Sequence, residues 1–486
     1  MKAILGGFWV LGAVAAVSLG ACGGGDEDSP STATDSGVAE VATDTGVAID
    51  TGVGTDTGTD VATDAPPVAA AKLTNLELSK TFHDRLYGLA YAPSGELFAT
   101  GVLGESADDL AMIVVKFKKD GSLDTTFGTM GIAKKNVIAK KAGEVARGIV
   151  VQSTGKIVIA GTVEHEGATD ERDRDIAVVR FNADGTVDSS FGTAGVVILD
   201  LSAGELVGTT YVADNQWGLS LGAADALVVT GVQKATGRTD SDFAIVKLKA
   251  DGARDTTFGT NGVATVDIDN LSTTMRTATV LSDGSVVGAG YYTDADKVVR
   301  PVLFKLTPTG TLDTTFGKSG IFNEALLPAA AEAYGAAPQG SSFITVGYGR
   351  ATTTESLDWL SFRIGGDGKQ DKTYGTSGMA RLDLAGNNDN GRALVVLPDQ
   401  RVFMVGGGRP AADNSDGMTA LLTKDGAPDT TYGPKGIKTW DLGGPNDFFW
   451  GVAVSPAKDQ IAVVGLKGAA TGGTDDAVLL TMPMPK

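Results

Sequence analysis

The stretch Asp120-Gly121-Ser122-Leu123-Asp124-Thr125-Thr126-Phe127-Gly128-Thr129-Met130-Gly131 decides the fold, because it does not occur only once. Variants follow at residues 184–195, 251–262, 309–320, 367–378 and 425–436. Their first residues lie 64, 67, 58, 58 and 58 positions apart. A period this long and this regular belongs to a repeat architecture, either an array or a closed propeller, and not to a coiled coil. Each copy reads as a turn, an Asp-Thr-Thr-Phe-Gly-like plug, and a second glycine that launches a strand.

Each period carries four short apolar runs, which in the first period are residues 88–92, 96–101, 112–117 and 132–137. We label them A, B, C and D. Turn signals such as Pro93-Ser94-Gly95 and Ser282-Asp283-Gly284 separate A from B. A and B are rich in Val, Ile, Ala and Phe with little alternation, as in strands buried on both faces. C carries a basic residue near its end (Lys116, Arg180, Lys247, Lys305, Arg363), which suits a more peripheral strand. Four strands per unit without helical periodicity predict propeller blades.

A glycine at the end of B occurs seven times, at Gly101, Gly161, Gly231, Gly290, Gly347, Gly406 and Gly465, whereas internal D strands number only six. Residues 73–79 supply the missing D. The sequence therefore predicts an all-β, seven-bladed propeller whose N-terminal strand completes the last blade and removes the open edges of the array.

The Asp-Gly-Ser-Leu-Asp-Thr-Thr-Phe-Gly motif, alternating with Pro-x-Gly hairpins, resembles the bacterial delta-60 repeat over essentially all of residues 72–486. The resemblance implies a propeller-like fold and implies no reaction. Thr309 in place of the first Asp, Pro434 after the sixth plug, and the plugless seventh unit depart from the pattern. The plug reads as structural. Phe127, Phe191, Phe258, Phe316, Tyr374 and Tyr432 are equivalent aromatics suited to burial between blades. Asp124, Asp188, Asp255, Asp313, Asp371 and Asp429 suit Asx turns, and six carboxylates spread over six blades make no catalytic set.

Residues 1–22 read as a signal segment, with Lys2 ahead of an apolar run over 4–19. Its end, Leu19-Gly20-Ala21-Cys22, resembles the lipobox of bacterial lipoproteins, so Cys22, the single cysteine, is the expected lipidation site. One cysteine also leaves no intramolecular disulfide. Residues 23–71 carry ten acids, no Lys or Arg and no aromatic residue, the composition of a disordered acidic linker. Residues 72–486 form the propeller domain. Setting aside Lys2 and the ten linker acids leaves −10 of the total −19, which argues against nucleic acid as a partner. The expected membrane partner is met through the lipid alone. The expected location is the cell envelope, at the outer membrane or cell surface in preference to the inner membrane.

Fourteen residues separate the end of C from the glycine opening D in all six copies, and the A-to-B hairpins hardly vary. Length varies in B-to-C and D-to-A, most at residues 164–175 and 200–215. One propeller face is thus uniform and the other irregular, and uneven loops on a rigid scaffold commonly carry recognition. Just before strand A stand Tyr87, Arg147, Trp217, Arg276, Tyr334, Arg392 and Trp450, one per blade, expected to circle the axial mouth of the irregular face. Arg and aromatic side chains stack on sugars, pair with carboxylates and anchor protein partners. The competing reading is packing against neighbouring loops, with the Arg residues paired to Asp175 or Asp416.

His83 and His165 stand in loops, and Glu164, His165 and Glu166 read as solvated loop charge, so neither a metal nor any other cofactor is expected. No phosphate loop, serine elbow or zinc-protease motif is present. The favoured function is a membrane-tethered, extracytoplasmic, non-catalytic binding module for an envelope protein or glycan on the irregular face. A glycan-cleaving enzyme is the alternative, because three Arg and two Tyr on one ring resemble, in residue type only, the carboxylate grip and Tyr nucleophile of sialidase-like propellers. A purely structural envelope protein is the third. No catalytic residue is assigned.

Overall fold

The computed structural model describes residues 70–486 except 107–108, 139–142, 165–172, 208–209, 412–413 and 470–472. The expected signal segment, Cys22, nearly all of the acidic linker, His165 and Glu166 lie outside the described residues. Seven antiparallel sheets follow one another along the chain, each crossed in the order A, B, C, D. The first blade comprises Asp84–Tyr91, Leu97–Ser106, Asp109–Phe117 and Ile132–Lys135, and the second Glu144–Val151, Ile157–Glu164, Arg174–Phe181 and Val196–Leu199. The third has Asn215–Leu221, Leu227–Lys234, Ser241–Leu248 and Val263–Val266, and the fourth Thr273–Val280, Val286–Thr293, Val299–Leu306 and Ile321–Phe322. In the fifth, strand A is split into Ala330–Ala331 and Gly335–Gln339, ahead of Ser342–Arg350, Asp358–Ile364 and Met379–Leu382. The sixth is Asn390–Val396, Val402–Ala411, Asn414–Leu422 and Ile437–Trp440. The seventh takes Phe448–Val454, Gln460–Lys467 and Asp476–Pro483 from the C-terminal end and Lys72–Asn75 from the N-terminal end.

This last pairing is the predicted clasp, and it is antiparallel, with Lys72 opposite Thr481 and Asn75 opposite Val478. The strand is shorter than the expected 73–79, but the pairing continues as the Leu76 amide donates to the Ala477 carbonyl at 2.9 Å. Further along, the Asp475 amide donates to Nδ1 of His83 at 2.9 Å, which gives that histidine a place in the closure. Arg85 reaches Asp475 Oδ2 at 2.6 Å beside it.

Side chains on the two faces of each sheet enter two different cores. Phe98 packs with Ile157 and Ile159 of the second blade, while its neighbours Leu97 and Ala99 pack with Ala462 and Val464 of the seventh. The same arrangement recurs at every junction, so seven apolar layers alternate with seven sheets. Both faces are therefore buried, and this is why A and B show no polar alternation.

A plug follows strand C in each of the first six blades. All six aromatics are buried, from Phe191 and Phe316 at 0% exposure to Tyr432 at 8%. Asp313 shows the Asx turn: its Oδ1 accepts the Thr315 amide at 3.1 Å and the Thr315 hydroxyl at 2.6 Å. Its other oxygen meets Lys305 Nζ at 2.9 Å. The basic residue near the end of C is thus the counter-ion of the plug, not the mark of a peripheral strand as expected. In the sixth blade Leu421 holds the basic position, and Arg401, just ahead of strand B, reaches Asp429 instead, at 3.0 Å.

The plug also ties neighbours together. Gly128, Gly259, Gly317 and Gly375 each donate an amide to the carbonyl of the first plug residue of the next blade (Asp184, Thr309, Asp367 and Asp425) at 2.8–2.9 Å. A carbonyl is common to every residue type, which explains why Thr309 can replace Asp. The seventh blade has no plug to serve Asp120, and the Lys72 ammonium donates to that carbonyl at 2.7 Å.

Candidate functional site

The seven predicted ring residues occupy one equivalent place, though not the expected one. They lie inside strand A rather than before it. In six blades the pairing of A with B shifts register by one residue, and the unpaired residue is Tyr87, Arg147, Trp217, Arg276, Arg392 or Trp450. In the fifth, Tyr334 stands between the two pieces of strand A, and its amide donates to the Val346 carbonyl at 2.7 Å. Such a β-bulge re-aims one side chain without ending the strand.

The repeated glycine of strand B is the other half of this device. It sits in the middle of the strand, not at its end as expected. A Cβ at Gly101, Gly161, Gly231, Gly290, Gly347, Gly406 or Gly465 would fall 1.9–2.4 Å from a carbonyl of the bulged strand. No side chain fits there. Seven glycines in the sequence thus mark seven bulges.

The bulge residues turn inward and meet around the axis. Arg276 lies over Trp217 at 4.2 Å and over Tyr334 at 4.3 Å. Arg147 lies between Trp217 at 4.7 Å and Tyr87 at 5.7 Å, and Arg392 between Tyr334 at 4.3 Å and Trp450 at 4.6 Å. Cation and aromatic alternate round the circle, each guanidinium against two rings. Seven is odd, so the alternation must fail once. It fails at Tyr87 and Trp450, which pack edge to face at 5.3 Å where the first and last blades meet. Tyr87, Arg276 and Tyr334 are buried; Arg147, Trp217, Arg392 and Trp450 are half-buried.

These residues line a cavity of about 320 Å³. The rest of its lining is drawn from the next two or three residues of each strand A, including Leu89, Ile149, Leu394 and Val452. None of the described lining residues precedes a bulge, and none belongs to the insertions at 164–175 or 200–215. The cavity therefore runs from the ring toward the uniform A-to-B hairpins. The ring lies deeper than expected, because the bulge sets it inside strand A, and the cavity lining follows the strand away from the irregular loops.

No Asp or Glu is among the described lining residues. A carboxylate that meets a ring arginine is Glu332, on the far side of the bulge. Arg276 Nε donates to Glu332 Oε1 at 2.7 Å, with both side chains almost wholly buried. Tyr348 belongs to the same group. Burial first, and the neighbouring Glu332 second, push its phenol well above the ordinary range. Indole Nε1 of Trp217, indole Nε1 of Trp450, and Nε and Nη1 of Arg392 are buried donors that meet no acceptor among the described residues.

A second ring escaped sequence reading. Three residues before the bulge stands a buried acid in five blades: Asp84, Glu144, Asp214, Asp389 and Asp447. Each accepts main-chain amides that fix the D-to-A connection, as Glu144 does from Val137 at 2.8 Å and Ile138 at 2.5 Å. Burial raises the Glu144 and Asp214 carboxyls to about 7 and that of Asp389 to about 6, against the lowering effect of those amides. The signal was an acid 17 residues before the strand-B glycine in four blades and 18 before it in the seventh.

Three carboxylate groups have the geometry to hold a cation: Asp175 with Asp200 and Asp214, Asp240 with Asp242 and Asp267, and Asp416 with Asp441 and Asp447. The first and third use equivalent places of two blade junctions. In the second, Arg238 supplies the positive charge, at 2.5 Å from Asp242 and 3.0 Å from Asp267. Glu164, expected as loop charge, pairs with Arg174 at 2.8 Å.

A family model described as a domain of unknown function (DUF5122) β-propeller matches residues 152–191, 227–258 and 281–316. Each match runs from an A-to-B turn or strand B to a plug aromatic and leaves out the ring. No curated protein matches the chain. Among solved structures, a protein of unknown function from Dyadobacter fermentans is similar at 12% identity, covering 86% of this chain and 100% of that one, with a TM-score of 0.44. A glucose dehydrogenase is similar at 12% identity over 70% of this chain and 96% of its own, with a TM-score of 0.38. A neuraminidase-like protein of A/flat-faced bat/Peru is similar at 9% identity over 85% and 94%, with a TM-score of 0.38. At these levels the likeness carries no argument, and what these proteins bind or transform does not carry over.

Proposed function

We propose that this chain is an exported propeller, anchored in the cell envelope through lipid at Cys22, and that it works as a non-catalytic binding module for a protein or glycan. The observation that supports this reading is the axial cavity, lined by one Arg or aromatic residue from each blade and by no described carboxylate. Seven blades agreeing on one bulge build a rigid recognition floor, and rigid aromatic and Arg anchors are the residue types that dominate binding. Glycan cleavage is disfavoured by the same floor, since it ordinarily needs an acid and a nucleophile at the scissile bond. The one Tyr–Glu pair beside the ring, Tyr348 with Glu332, is buried, and its phenol is shifted away from the ionised form a nucleophile requires.

The test is a glycan and envelope-protein array probed with the full chain and with Trp217→Ala. A binding module should retain a ligand with the native chain and lose it with the variant. Trp217 is half-buried between two arginines, so its loss should cost only ~1–2 kcal/mol of stability, the range of cation–π contacts. A cooperative loss of fold in Trp217→Ala would reduce the ring to packing and withdraw the site. The anchor is tested separately. Cys22→Ala should move the protein out of the detergent phase, and partitioning like the native chain would remove the lipid from the proposal.

A further inference from the structure

We infer that the axial cavity takes the carboxylate of a small acidic ligand, about one uronic-acid ring in size, against Arg392; this rests on the binding-module reading and narrows its ligand. Four donors carry the inference: Nε and Nη1 of Arg392 and the indole N–H groups of Trp217 and Trp450, all buried without an acceptor among the described residues. The unmet hydrogen bonding of these three residues is all donation, so a complementary ligand brings acceptors. A charged acceptor gains most, because hydrogen bonds between ionised partners are the strong ones.

The charge balance points the same way. Arg276 is matched by Glu332 behind the ring, and no described lining residue is an acid. Arg392 therefore faces the cavity in a locally cationic setting, within a chain whose net charge is −19. Selectivity for an anion comes from these few groups and not from the field of the whole molecule.

Geometry favours a planar group. Tyr334 at 4.3 Å and Trp450 at 4.6 Å lie against Arg392, so a ligand meets its guanidinium at the edge, and these neighbours must part for the buried Nε and Nη1 to be reached. A carboxylate meets a guanidinium edge in its own plane. Leu89, Ile149, Leu394 and Val452 make the walls apolar, and burying a phosphate dianion among them costs more than burying a carboxylate monoanion. The volume of about 320 Å³ lies at the small end of ligand pockets and suits a single ring.

The experiment is calorimetric titration of the full chain in detergent near neutral pH with D-glucuronate, D-glucose and sulfate. Glucose keeps the ring and replaces the carboxylate by a hydroxymethyl group. Glucuronate should bind, and glucose and sulfate should bind at least about tenfold more weakly. Arg392→Gln should lose at least about tenfold for glucuronate while still melting cooperatively. If that variant does not fold, Trp450→Phe, which keeps the aromatic face and removes one donor, should lose about threefold or more. Equal affinity for glucose would overturn the carboxylate, and equal affinity for sulfate would replace it with a general oxyanion site. Absence of glucuronate binding would overturn the inference. The binding-module reading would then stand if the array ligand is still lost in Trp217→Ala, and would fall with it if no array ligand is found.

Discussion

The six outer plugs and the seven-membered axial ring are devices of the same repeat, yet they differ in how they use it. Each plug repeats nearly residue for residue, and its polar atoms find partners within the same blade or the next: an Asx turn, a Lys or Arg, an amide to the neighbouring carbonyl. The ring conserves only a backbone event, the bulge, and places Arg, Tyr and Trp on it in alternation. Four of its nitrogen donors meet no acceptor among the described residues. Where a repeat must hold blades together, chemistry is repeated and satisfied. Where it holds its side chains ready, the scaffold is repeated and the chemistry is not.

The comparison breaks first if closure of the ring proves unimportant. Deleting residues 72–82 removes the clasp strand, Leu76 from the core between the last and first blades, and the Lys72 contact to Asp120. It should cost more stability than any single substitution and more than deleting the longer segment 23–70. Thermal melts of the two truncations check this, and equal melting temperatures would sink the clasp.

A plug aromatic should behave unlike a ring aromatic. Phe191 is fully buried beneath the Arg180 guanidinium at 4.6 Å. Phe191→Ala should cost about 3–5 kcal/mol, as large-to-small changes in cores do, and leave ligand affinity unchanged. Trp217→Ala should do the reverse. Denaturant titration and one binding isotherm for each variant separate them, and equal stability losses would erase the distinction.

The rim was the easier part to read. Phe127, Asp124 and Gly131 recur at fixed spacing, and fixed spacing in a repeat translates directly into strand order, blade number and the missing D strand. The ring residues could be listed, because one position per blade departs from Val, Ile and Ala. Their depth could not be read. Whether Tyr87 precedes strand A or bulges within it depends on Leu86 pairing with Gly101, a contact between chain segments that no local pattern encodes. Placing the ring at the mouth of the irregular face followed from the same ambiguity. Glu332 was equally hidden: it is an acid in a loop by sequence, and becomes the counter-ion of Arg276 only once the chain has closed around it. The basic residues ending strand C were seen but misread, because their partner lies eight residues on, as from Arg180 to Asp188, across a turn.

The same two regions should respond to pH with opposite sign. At the rim, hydrogen bonds from Thr315 and then Lys305 hold Asp313 down at about 2, below its ordinary 3.8. A depressed carboxyl contributes stability that is present above the unfolded pKa and is lost as pH falls through the folded one, here between about 4 and 2. Beside the ring the shift reverses. Burial raises Glu144 from 4.5 to about 7, against the amides of Ile138 and Val137. The folded state then holds a proton that the unfolded chain releases, so this contribution is fully present below about 4.5 and is lost as pH rises through about 7. A shift of that size corresponds to on the order of 3 kcal/mol between the two limits. Asp214 at about 7 and Asp389 at about 6 act in the same sense. The melting temperature should therefore climb as pH is lowered from 7.5 to 5, and turn over only below about 4 as the plug carboxylates protonate. Glu144→Gln keeps an oxygen acceptor for the Val137 and Ile138 amides and cannot ionise. It should flatten the slope between pH 5 and 7.5 and leave the fall below 4 untouched. A native melting temperature that rises steadily to pH 7.5, or a Gln variant with the native slope, would mean that the buried acid is charged in the folded protein and that the two regions titrate alike.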